Sequence, residues 1–291
     1  MVRRALEHHR LGPHTLLVTT EQAEQADQAD QAEQAEQAEQ AERADQAEQA
    51  AQTEQAAHAV AESIEDLISG AEYVLFDFDG PICRLFARHP SRTVADSLVK
   101  WLLARETEVR LSEGEAGDPH AVLRAASRDH PDSELVGELE AELTREELRA
   151  TRTAWPTAYA DPLIRTWSAI GVGLAVATNN SPQVAEEYLT GRGLRGCFAP
   201  HIHGRTGDPR LLKPDPDCVR RALDSLGADP AASLMIGDTP ADLHAAREAG
   251  VRFLGYGRGE HRTERLWKAG ASTVVESLEP VLEAVRMLGR P

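Results

Sequence analysis

The sequence predicts an α/β protein: a doubly wound parallel sheet with an all-helical insertion, preceded by a low-complexity arm. Three observations carry this. Short apolar runs, YVLFDF (73–78), GLAVAT (173–178), SLMIGD (233–238) and RFLGYG (252–257), alternate with helical stretches bounded by Pro starts and Gly stops. That alternation is the pattern of βαβ units. Residues 92–154 carry helical periodicity and no strand signal. Residues 21–50 repeat a Gln-Ala-Glu/Asp triplet, with Ala at every third position from Ala23 to Ala50.

Taken in order, the arm spans residues 1–57. A period of three drifts around a 3.6-residue helix, so its alanines form no single apolar face. The arm is expected to be a solvated, partly helical or disordered segment, and a partner for it is unknown. The globular part begins near residue 58, with AVAESIEDLIS as a short helix stopped by Gly70. The core is predicted over 58–87 and 156–291, and a helical cap over 88–155. In the cap, Val94, Leu98, Trp101 and Leu102 share one face, as do Leu135, Leu139 and Leu143. EGEAGDP and HPDS interrupt it as loops.

Helices are then expected from Asp161-Pro162 to about Gly171, from Ser181-Pro182 to about Gly191, from Asp215-Pro216 to Gly227, and from Thr239-Pro240 to Gly250.

Composition excludes some functions. The formal charge is -17, and eleven acidic residues against one Arg fall within 21–57. Nucleic acid and anionic membrane both demand a basic face, so neither is the expected partner. Cys83, Cys197 and Cys218 form no CxxC, which argues against a disulfide framework or zinc site. His201 and His203 with Cys197 lack a fourth ligand and read as loop residues. No run approaches a membrane span, and TLLV is too short for a signal-peptide core. A soluble cytoplasmic protein is expected.

The chemistry gathers at strand ends, where an open parallel sheet binds its ligands. The first strand ends in Asp77 and Asp79, GLAVATNNS in Thr178 and Asn179, and SLMIGDTPAD in Asp238 and Asp242. LLKPDPD adds Lys213, one of three lysines in the chain. Each feature alone has a plain structural explanation: an Asx turn at Asp79-Gly80, a capping box at Thr239-x-x-Asp242, a surface lysine. Together they crowd carboxylates that need a compensating charge.

DFDGPI, ATNNS, LKPDPD and GDTPADLHAAREAG resemble, in that order, the four motifs of the haloacid dehalogenase-like (HAD) hydrolase superfamily. The resemblance covers roughly residues 72–290 and leaves the arm outside. It implies a Rossmann-like core, and the insertion between first and second motifs is similar to the helical cap of the phosphoglycolate phosphatase and β-phosphoglucomutase branch. It further implies a Mg2+-dependent phosphatase acting on a small phosphorylated metabolite through an aspartyl-phosphate. Asp77 would be the nucleophile and Asp79 the general acid and base. The metal would sit on Asp77, the backbone carbonyl of Asp79, and Asp238, with Asp242 at or behind it.

Thr178 and backbone donors near Gly80 and Asn179 would bind phosphoryl oxygens, and Lys213 would offset the charge at the nucleophile. Arg84, where many relatives are acidic, would meet a substrate anion or form a hinge salt bridge. Arg88, Arg105 and Trp101 are the cap candidates for specificity. A sugar-phosphate mutase keeps all four motifs and stays open as an alternative. Asp79 argues against dehalogenation, and Lys100 as the one cap lysine argues against phosphonate hydrolysis. A non-enzymatic scaffold is least favoured, because no catalytic aspartate is missing.

Overall fold

Four strands whose side chains alternate between two apolar layers form the centre of the molecule, and the computed structural model describes residues 63–131 and 133–289. The arm and the first residues of the helix expected from Ala59 lie outside the described residues. Within the described residues the helix is α1 (Ile64–Ser69), opened by Ser63, whose side chain accepts from the Asp66 amide.

Strands β1 (Tyr73–Phe76), β4 (Gly173–Ala177), β5 (Ile202–His203), β6 (Ser233–Gly237), β7 (Arg252–Tyr256) and β8 (Val274–Val275) form one sheet. Its order is β5-β4-β1-β6-β7-β8, and every pairing is parallel. Tyr73 stands beside Gly173 on one side and Ser233 on the other. The strands read as continuous apolar runs because helices cover both faces of the sheet.

The two-residue alternation assigns the layers. Val74, Phe76, Leu174, Val176, Leu234 and Ile236 enter one apolar layer, and Leu75, Ala175, Ala177 and Met235 enter the other. The first layer packs on α1, α5 (Ala160–Ala169), α6 (Pro182–Gly191) and α11 (Glu279–Leu288). Phe76 meets Trp167 edge-on at 5.8 Å within it. The second packs on α8 (Asp217–Leu226), α9 (Pro240–Glu248) and α10 (Glu260–Lys268). The short α7 (Arg195–Phe198) buries Phe198 at the edge of the first.

Between first and second long strands the chain leaves through β2 (Cys83–Arg84) and returns through β3 (Trp155–Pro156), which pair antiparallel. The insert is helical: α2 (Ser91–Leu103), α3 (Pro119–Asp129) and α4 (Glu134–Thr151). Its own apolar centre joins Val94, Leu98, Val122, Leu139 and Leu143, closed by Leu212 from the core. Trp101 is not at that centre; it stays part-exposed beneath the Arg105 guanidinium, 3.5 Å from its ring. Among the described residues no helix is long and apolar enough to cross a membrane.

Candidate active site

Chain order reverses at β1: the path runs outward through β4 and β5, then returns to the other side for β6 to β8. The crevice beyond the carboxyl ends of β1, β4 and β6 is therefore the switch point where such sheets bind ligands. Asp77 follows β1 directly. Phe78 turns back into the apolar layer, and Asp79 emerges on the crevice side. The loop closes tightly, with Cys83 N donating to Phe78 O (3.1 Å) and Gly80 N to Cys83 O (2.7 Å). The Asp79 carboxylate accepts from the Leu85 amide at 2.8 Å.

Gly80 has φ +134°, and a Cβ there would lie 2.4 Å from Asp238 Cγ. Only glycine lets the β1 loop press its backbone against the Asp238 carboxylate.

Lys213 is buried, with its ammonium on Asp77 Oδ1 (2.8 Å), the Ala177 carbonyl (2.9 Å) and the Asp242 carboxylate. Burial alone would lower its pKa, but Asp242 and Asp77 outweigh that and hold it charged. Burial raises Asp77, tempered by Lys213. Burial also pushes Asp79 up to about 6, against the Leu85 hydrogen bond. Asp242 has both oxygens engaged, one by Lys213 and the other by the Asp238 and Thr239 amides and the Thr239 hydroxyl. It caps α9 in a reciprocal box with Thr239.

Asp238 is the exception. One oxygen pairs with Arg262, and the other, Oδ1, is buried with no hydrogen-bond partner. Burial and the neighbouring Asp242 charge raise its pKa well above the ordinary range. Carboxylate oxygens of Asp77, Asp238 and Asp242 lie within 4.8 Å of one another. An orphaned buried oxygen in a cluster of like charges fits a hard divalent cation, which takes oxygen ligands. The Asp79 side chain is not part of that cluster.

After β4, Thr178 and Asn180 are buried. Asn179 holds Lys213 in place through its side chain, accepting from Lys213 N (2.7 Å) and donating to Lys213 O (3.2 Å). Its amide side chain is thus committed to the lysine, and its carbonyl accepts from Arg205 at 3.3 Å. Behind this loop lies a polar network absent from the sequence reading. Glu147 of α4 accepts from Arg205 and Asn180, with His120 nearby. Burial would raise Glu147, but Arg205 and His120 together bring it down to about 2.

Core and insert enclose a chamber of about 860 Å³ over these carboxylates. The insert contributes Phe86, Asp118, His120 and Arg124 to its wall. Arg88, Arg105 and Trp101 are elsewhere: Arg88 stacks on Trp155, and Arg105 covers Trp101. Arg84 does line the chamber; its guanidinium lies 5.0 Å over Trp155, and it has no ion pair among the described residues. Arg258, Arg262 and Arg265, from the loop after β7 and from α10, line the opposite wall. His201 and His203 both face Ser225 Oγ, at 3.0 and 2.7 Å.

A doubly wound core that ends two parallel strands in buried carboxylates and a third in Thr178 and Asn179, with a buried lysine among them beneath a helical insert, defines a carboxylate-centred hydrolase. The chain belongs to the haloacid dehalogenase-like hydrolase family, whose match runs over residues 15–250 and so begins ahead of the repeats. It is similar to a phosphoglycolate phosphatase of Rhodospirillum rubrum, 38% identical over 102 residues. That stretch is 35% of this chain and 41% of the relative, so the chain spans about two-fifths of that protein's length. A phosphoglycolate phosphatase of Neisseria meningitidis is 28% identical over 203 residues, 66% of this chain and 84% of the relative. Among solved structures, one titled a predicted phosphatase from Clostridium acetobutylicum shares the fold, with a TM-score of 0.55 at 22% identity. It covers 74% of this chain and 98% of that one.

Proposed function

We propose that the protein is a Mg2+-dependent phosphatase that hydrolyses a small phosphorylated metabolite through an aspartyl-phosphate on Asp77. The observation that carries this reading is the charge arrangement at the end of β1. One Asp77 oxygen is held by a buried lysine, while a neighbouring buried Asp238 oxygen has no partner. A structural ion pair explains the first feature and not the second.

Asp77, Asp238 and the backbone carbonyl of Asp79 would hold the cation, with Asp242 behind them. When bound, Mg2+ would offset the charge of the phosphoryl oxygens and of the attacking carboxylate. Asp77 attacks phosphorus, the bond to the leaving oxygen breaks, and Asp79 gives that oxygen a proton. Asp79 then takes a proton from water as the water attacks the same phosphorus, which frees Asp77 and inorganic phosphate. Lys213 keeps Asp77 oriented and offsets charge throughout, and Thr178 with the backbone at Asn179 and Gly80 receives the phosphoryl oxygens.

Arg84, Arg258 and Arg265 line the chamber without a carboxylate partner among the described residues. They support a substrate bearing a second anionic group, as the names of the phosphoglycolate phosphatase relatives also do.

The test is phosphate release from a panel of phosphorylated metabolites, with para-nitrophenyl phosphate as a substrate lacking a second anion. Asp77→Asn is nearly isosteric and should lower release by about a thousandfold or more while the fold persists. Chelation should abolish wild-type activity and Mg2+ restore it. Asp77→Asn within tenfold of wild type, or full activity in chelator, sinks the reading.

A further inference from the structure

We propose that Glu147, supplied by the insert, is a positioning residue of the active site. With Arg205 it sets the loop after β4, so that the phosphoryl-binding groups at Thr178 and Asn179 are in order while the insert is docked. This rests on the functional reading above and adds a device to it.

The network is a chain of obligatory partners. The Glu147 side chain is fully buried and that of Arg205 is 1% exposed, so every charge and polar atom between them needs a protein partner. Arg205 Nη1 donates to both Glu147 oxygens at 2.8 and 2.7 Å. Its other nitrogens reach Glu140 (2.8 Å) and Thr144 (2.6 Å), both on α4. From the core, Asn180 Nδ2 donates to Glu147 Oε1 at 2.8 Å and Ser181 N to Oε2 at 3.2 Å. Arg205 N in turn donates to Asn180 O at 3.1 Å. One carboxylate from the insert thus holds a core guanidinium, a core side-chain amide and a core peptide.

The order of these bonds transmits to the site. An amide side chain has one donor end and one acceptor end. Because Glu147 takes the donor end of Asn180, the acceptor Oδ1 faces the Thr178 hydroxyl, which donates to it at 3.1 Å. The Asn180 backbone N–H donates to Thr178 Oγ1 at 3.2 Å, which keeps that oxygen placed when the hydroxyl turns its one hydrogen from Asn180 to a phosphoryl oxygen. Withdrawing Glu147 frees Asn180 to turn, and Thr178 loses the partner that fixes its rotamer.

Packing alone does not call for this residue. Glu147 continues the buried face of α4 that carries Leu139 and Leu143, where another leucine would serve. A buried ion pair is a poor stabiliser compared with apolar packing and is better suited to fixing one arrangement. His120 of α3 brings the chamber wall to the same carboxylate, 3.4 Å from Glu147 Oε1. The insert also meets the core through Leu212 and through β2 and β3, and among these contacts the Glu147 carboxylate is the one that reaches the loop after β4.

The experiment measures inorganic phosphate binding by calorimetry on full-length protein in Mg2+, with amide hydrogen exchange. Glu147→Gln should weaken phosphate binding at least about tenfold, as loss of an outer partner of a site residue commonly does. It should also speed exchange at Asn180 and Ser181 while β6 and β7 stay protected. The double variant Glu147→Met with Arg205→Met removes both charges together, which preserves folding, and should show the same two effects. A merely structural role would lower thermal stability without moving phosphate affinity well below the melting temperature. Both variants binding phosphate within threefold of wild type, with unchanged exchange in the loop, overturns the inference alone. Wild-type protein that binds no phosphate overturns it together with the functional reading.

Discussion

Gly80→Ala is a one-methyl perturbation whose consequences follow from two distances. The backbone at Gly80 has φ +134°, a conformation side-chain-bearing residues rarely adopt, and the added Cβ would lie 2.4 Å from Asp238 Cγ and 2.6–2.7 Å from its oxygens. Strain of this kind costs on the order of 1–3 kcal/mol, and overpacking a similar amount. The expected loss of stability is therefore roughly 2–6 kcal/mol. Asp238 has little room to yield. Its amide is tied to Asp242 at 3.2 Å and its Oδ2 to Arg262. Reaching ordinary contact at 3.4 Å moves the carboxylate by about 1 Å, and a displacement of that size costs on the order of a hundredfold in rate.

Urea denaturation gives the first quantity, and phosphate release at saturating Mg2+ gives the second. A Gly80→Ala protein with more than a tenth of wild-type kcat/KM and stability within about 1 kcal/mol would refute the claim that the β1 loop is pressed against a site carboxylate.

Two further outcomes follow from buried charge. Lys213→Met leaves Asp77 and Asp242 facing each other without their shared cation, and should destabilise the metal-free protein by about 3–5 kcal/mol at neutral pH; a loss below about 1 kcal/mol by urea denaturation contradicts this. Glu147 lies at about 2 in the folded protein against 4.5 ordinarily, so its contribution, about 3 kcal/mol, is complete above about pH 4.5 and fades as pH falls toward 2. Glu147→Gln should accordingly flatten the stability–pH curve between about pH 4.5 and 2, and an unchanged slope there would count against the depressed value.

Much of the core could be read along the chain because its signals are local. Apolar runs bounded by Pro starts and Gly stops place β1, β4, β6 and β7 and helices α5, α6, α8 and α9 near their observed bounds. Strands β5 and β8 are two residues long, too short for any periodicity, and α10 buries only Leu266, so it shows no apolar stripe. The hinge pair β2 and β3 joins residues some seventy positions apart, for which no local pattern exists.

The site divides the same way. Asp77, Asp79, Thr178, Lys213, Asp238 and Asp242 each stand at a strand end or helix start, and a parallel sheet brings such ends together whatever the details of packing. What the sequence determined by itself was therefore which residues meet. Arg262, Arg205, His120 and Asn180 entered only with the tertiary structure, since each acts across long separations through a partner that chain order does not reveal. Glu147 had a signal, four residues past Leu143 on a buried face, where a carboxylate demands a cation. Its partner lies fifty-eight residues away on a loop. Only the docking of insert on core decided that the cation is Arg205, and that the carboxylate also holds Asn180 against Thr178.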